Sequence, residues 1–105
     1  MKIFISQMMK GKTDAEILDE RARIIIKLEK LMPEEQLEIL DSFFSGYNGS
    51  AIQFLGKSLQ LMGEADLAVF APGWENARGC RIEQSVASTY GLKQCFISVD
   101  ECISL

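Results

Sequence analysis

The sequence predicts a three-layer α/β domain built on a parallel sheet, and two observations carry that expectation. Segments with strand character alternate with segments of helical periodicity along the chain, in the order β-α-β-α-β-α-β. Parallel strands joined by right-handed helical crossovers are the arrangement that buries both kinds of segment. The run DLAVFA (66–71) is apolar without alternation, as in a strand covered on both faces.

The elements follow in order. KIFIS (2–6) is β-branched and aromatic and starts the sheet. Gly11 breaks the chain in QMMKGK, and Thr13 followed three residues later by Glu16 spells a capping box. Ile17, Leu18, Ala22, Ile24, Ile25, Leu28, Leu31 and Met32 keep mostly helical spacing from 14 to about 32, where Pro33 stops the helix. LEILDSFF (37–44) reads as a second short strand ending near Asp41, and SGYNGS (45–50) as a loop. Ile52, Leu55, Leu59 and Met62 form the stripe of a helix over 51–62, with Gly63 at its end. Past the strand at 66–71 comes the turn APGWENARGC, then a helix over 79–90 closed by Gly91, then a strand KQCFISV (93–99). DECISL (100–105) receives no assignment. With no repeat, linker or low-complexity tract, residues 1–105 read as a single domain.

Composition narrows the function. The net charge is −4 and histidine is absent. An acidic chain without a basic stripe is poorly suited to duplex nucleic acid, where neutralising phosphate dominates affinity. The missing histidines exclude Ser-His, Cys-His and His-metal arrangements, so acid–base work falls to Asp, Glu, Lys, Tyr or Cys. Cys80, Cys95 and Cys102 are odd in number and lack a CxxC pair, which fits free thiols in a reducing cytoplasm and supplies no zinc site. The N-terminal apolar run is too short for a signal peptide, and no segment has transmembrane length. Neither metal, cofactor nor membrane is expected.

In open parallel sheets a ligand binds outside the carboxyl ends of the strands, where strand order reverses. That rule singles out Ser6 to Gly11, Asp41 to Phe44 and Pro72 to Arg78. Lys10, Gly11 and Lys12 precede a helix start and are compatible with an anion, although lysines there are commonly just solvated. Neither a P-loop nor a GxGxxG fingerprint is present. Gln7 has donors and an acceptor for a base or sugar. Gly73 and Gly79 allow close approach of a ligand. Trp74 is either a stacking platform or a cover for the sheet edge. Asn76 and Arg78 could orient a sugar hydroxyl or phosphate; alternatively Arg78 forms a surface ion pair with Glu75. Glu83 lies near the helix start, bordering an apolar stripe of Ile82, Val86 and Tyr90. It is a candidate nucleophile or general base, or an acid placed favourably against the helix dipole.

The stretches MKIFISQMMKGKTDAEI, LDSFF and LGKSLQLMGEADLAVFAPGWENARGCRIEQSVASTYGL resemble a small family of bacterial and phage proteins. That family is itself similar to the nucleoside 2-deoxyribosyltransferases. The resemblance spans roughly residues 1 to 98, and GWENARGCRIE is its most distinctive part. It implies a flavodoxin-like (Rossmann-like) parallel sheet of order 2-1-3-4. It also implies cleavage of the N-glycosidic bond of a 2′-deoxynucleoside or its monophosphate, with Glu83 where the family's nucleophile falls. Such a carboxylate traps an oxocarbenium-like centre as in retaining glycosidases. Ser58 stands where the enzymes usually carry an aspartate, and Asn76 and Ala77 occupy the region of a second one; Asp41 is the remaining candidate proton donor. The expected partner is a small nucleoside or nucleotide, and the expected assembly a homo-oligomer whose neighbouring copy adds cleft walls. A non-catalytic nucleotide-binding module, sensing or sequestering its ligand, and a purely structural oligomeric protein are the alternatives.

Overall fold

A computed structural model describes residues 1–43 and 48–98. Its elements are β1 (Lys2–Ser6), α1 (Asp14–Leu31), β2 (Glu38–Ile39), α2 (Ala51–Met62), β3 (Leu67–Phe70), a 3-10 turn (Trp74–Asn76), α3 (Arg78–Thr89) and β4 (Lys93–Phe96). The four strands are parallel and lie in the order β2-β1-β3-β4. From β1 the chain steps one way to β2, then turns back across β1 to β3 and β4. With right-handed crossovers, that reversal sends α1 to one face and α2 and α3 to the other.

The core records the two faces. Ile3, Ile5 and Val69 pack with Ile24 and Leu28 of α1, while Phe4, Ala68 and Phe70 pack with Met62 of α2 and Ala87 of α3. Large apolar side chains on both faces explain why these strands read as continuous apolar runs. Side chains alternate along β1, so Ser6 shares the face of Phe4 and Gln7 shares that of Ile5.

The capping box expected at Thr13 and Glu16 is present, and a second one stands at the start of α2. Thr13 and Glu16 exchange bonds at the start of α1, and Ser50 and Gln53 do the same at α2, a pair the sequence reading passed over. Gly73 adopts φ +86°, a left-handed conformation natural to glycine, and launches the 3-10 turn. That turn was not foreseen, and it draws Arg78 rather than Gly79 into the first position of α3.

Several boundaries are corrected. The second strand, expected over 37–44, pairs only at Lys2↔Glu38 and Ile3↔Ile39. The rungs Glu38 N to Met1 O and Leu40 N to Ile3 O are present. At the next rung the Ser42 amide turns back to the Leu40 carbonyl, and the Ser42 hydroxyl donates to Ile5 O at 3.0 Å in its place. A side chain thus substitutes for the backbone and ends the strand. Phe44 at the end of that expected strand, the loop residues 45–47, Val99 of the expected last strand, the tail 100–105 and Cys102 lie outside the described residues.

The stripes expected on α2 and α3 hold in part: Met62 is in the core with Leu59 and Val86 packed against it, while other members turn outward. Tyr90 is 82% exposed and Ile82 is 37% exposed, whereas Cys80, Glu83 and Ala87 form the buried face of α3. On α2, Ile52 is 81% exposed, and Ser58 and Met62 are the buried positions. Small side chains let α3 approach the sheet closely, so the helix is rotated toward Cys80 and Ala87 rather than toward its bulkier stripe. Among the described residues no helix is long and apolar enough to cross a membrane.

Candidate functional site

A cleft of about 680 Å³ opens at the carboxyl edge of the sheet. It lies where β1 and β3 diverge toward helices on opposite faces, the switch point at which open α/β sheets bind ligands. Its floor is polar: Ser6 at the end of β1, Ser58 from α2, and Cys80 and Glu83 from α3. Its walls are mostly apolar, with Met8, Met9, Phe54, Leu55 and Ile82. Its cationic side chains are Lys10, Arg78 and Arg81, and Asn76 and Gly79 complete the α3 side.

Glu83 is the centre of this floor, only 7% exposed. The Ser6 hydroxyl donates to its Oε1 at 2.6 Å, a short charge-assisted bond between residues far apart in sequence. Burial pushes the Glu83 pKa above its ordinary value; the Ser6 hydroxyl, and after it the Ser58 hydroxyl, oppose that by favouring the charged form. Cys80 stands one helical turn before Glu83. Burial raises its thiol to about 11, against a smaller opposing effect from the Ser6 hydroxyl, so it is a neutral thiol at neutral pH. Glu83 is the only carboxylate among the described lining residues.

Gln7 lines the cleft, but its amide is engaged with α1. Nε2 donates to Ile17 O at 2.8 Å and to Glu20 Oε1 at 3.0 Å, and Oε1 accepts from Arg21 Nε at 3.2 Å. Arg21 continues through Nη2 to the Ser42 hydroxyl at 2.8 Å. This guanidinium is buried and forms no ion pair with a described residue. Its pKa is lowered by burial, with Asp41 acting the other way from a distance. Sequence reading missed Arg21. The available signal was its place between Ile17 and Ile24 or Leu28, on the helix face turned to the sheet.

The structure therefore brings together Ser6, Gln7, Lys10, Ser58, Asn76, Arg78, Gly79 and Glu83. It does not bring Gly11, Asp41, Gly73 or Trp74 into the lining. Trp74 packs against Phe70 and Phe96, ring centroids 5.5 Å from each, and so covers the sheet edge. Asp41 is exposed and accepts from the Phe43 amide at 3.3 Å, as in an Asx turn. The alternative ion pair of Arg78 with Glu75 is absent among the described residues; Arg81 instead donates to the Glu75 carbonyl at 2.9 Å. Gly79 has open space where a Cβ would stand. Unlike α1 and α2, α3 begins with no side-chain cap. Among the described residues no group of three His, Cys, Asp or Glu side chains is placed to hold a metal ion.

Chemically, the floor offers one buried carboxyl group held by hydroxyls, and the rim offers positive charge. Compared with protein-family models, curated proteins and solved structures, the chain matches none.

Proposed function

We propose that the cleft binds a nucleoside or nucleotide and that Glu83 attacks C1′ of a 2′-deoxynucleoside or its monophosphate. One observation carries this reading: a buried carboxylate, held by Ser6, faces a cleft at the switch point of the sheet. In the reaction a Glu83 oxygen forms a bond to C1′, and the C1′–N bond breaks with its electron pair leaving on the base, which takes up a proton from solvent water. Water or a second base then displaces the ester. Lys10, Asn76 and Arg78 suit a phosphate or sugar hydroxyl, and the apolar walls suit a base face. A second copy of the chain would add walls to this small domain's cleft.

A second reading has its own support. With Glu83 the lone carboxylate of the described lining, no second carboxylic acid among the described residues stands beside the departing base to protonate it. A module that binds a nucleotide without cleaving it needs none. The test is base release from a panel of deoxynucleosides and deoxynucleotides, alongside binding by calorimetry. Release abolished in Glu83→Gln supports cleavage. Saturable binding without release, retained in Glu83→Gln, supports the module. Neither binding nor release across the panel ends both readings.

A further inference from the structure

We propose that Ser6 is the positioning residue of Glu83, holding the carboxylate in one orientation and favouring its charged form, rather than a contact for the ligand. The importance of this for catalysis rests on the reading of Glu83 as nucleophile; the positioning itself does not.

The geometry comes from two independent elements. Ser6 is the last residue of β1 and is 1% exposed, and alternation along the strand turns it toward α2 and α3. Glu83 lies on the buried face of α3, one turn after Cys80 and one turn before Ala87. Small residues on both sides let the helix come close enough for a 2.6 Å bond. A hydroxyl has one proton, and here it is directed to Glu83 Oε1, so Ser6 has only acceptor capacity left for a ligand.

The neighbours narrow the cause of any change. Ser58 reaches Glu83 from α2, Cys80 is the titratable neighbour on α3 itself, and β1 presents Ser6. Lys10, Arg78 and Arg81 line the cleft, and α1, with Glu20 and Arg21, packs on the opposite face of the sheet. Burial alone favours a neutral carboxyl, which is a poor nucleophile. Removing the Ser6 donor leaves burial opposed only by Ser58.

The test is a ¹³C NMR titration of the Glu83 side-chain carboxyl, assigned by its loss in Glu83→Gln. In Ser6→Ala the midpoint should rise by about one pH unit, the scale of a hydrogen bond to a charged group. Ser6→Thr should restore it, and Ser58→Ala should move it less. Should Ser6→Ala not fold, Ser6→Cys, a weaker donor of similar size, should show the same upward direction. An unmoved midpoint in Ser6→Ala, or a larger shift in Ser58→Ala, overturns the proposal. Where base is released, the acid limb of kcat/KM should move with the midpoint; an unmoved limb beside a moved midpoint overturns the catalytic part. A moved midpoint in a protein that releases no base ends the glycosidic reading and leaves the positioning role intact.

Discussion

At the scale of single residues, Glu83 sets the strongest expectation. Its folded pKa lies above the unfolded value, so between the two the folded protein binds more protons. Stability contributed by this group is therefore present at low pH and lost as pH rises through that window. Glu83→Gln keeps an acceptor for Ser6 and removes the buried charge. It should unfold at higher denaturant than the parent at pH 7, with the difference closing as pH falls below the carboxylate range. A loss of activity in that variant would then not reflect a loss of fold. Arg21 behaves differently, because its planar fork reaches Gln7 and Ser42 together. Arg21→Lys retains charge but not that geometry, and chemical denaturation should show a loss of about 1–3 kcal/mol.

At the scale of elements, helix ends were more legible than helix faces. Thr13 and Glu16 declare a capping box in the letters themselves, because capping is local chemistry. The face a helix buries depends on the surface it meets: spacing alone gave α3 the stripe Ile82, Val86 and Tyr90, of which Val86 packs on the core, while Cys80, Glu83 and Ala87 are the buried positions. β2 was over-read for a related reason. Its apolar letters suggest a strand, yet the Ser42 hydroxyl ends the ladder, and no strand propensity describes that exchange. Gly56 offers a cleaner test of local chemistry. It is exposed inside α2 with open space at the Cβ position, so Gly56→Ala should stabilise the protein by about 1 kcal/mol, read as a raised midpoint in thermal or denaturant unfolding.

At the scale of the whole molecule, the alternation of strands and helices was enough to specify three layers, and the observed order of the four strands agrees with the expected one. The site was legible in part. The switch-point rule located the cleft edge and Glu83, Ser6 and Ser58 were singled out, but the hydrogen bonds among them join residues distant in sequence and leave no local pattern. Trp74 and Asp41 were drawn toward the cleft by their place in the chain, and packing takes them elsewhere. Stability should also be uneven across the sheet. β1 and β3 are central and pair over four residues, whereas β2 pairs over two. Hydrogen exchange should find the amides between β1 and β3 open only with global unfolding, and those of β2 open earlier.

The alternation along β1 makes the site more sensitive to misalignment than the core is. Ile3, Phe4 and Ile5 are all large and apolar, so a slip by one residue would still put an oily side chain on each face. The polar end has no such tolerance. Serine would turn toward Arg21 and glutamine toward Glu83, exchanging the two partners in one step. A single insertion or deletion before Ser6 could thus leave a protein that still folds around a dismantled cleft. In this strand it is the polar end, more than the apolar letters, that tells one alignment from the next.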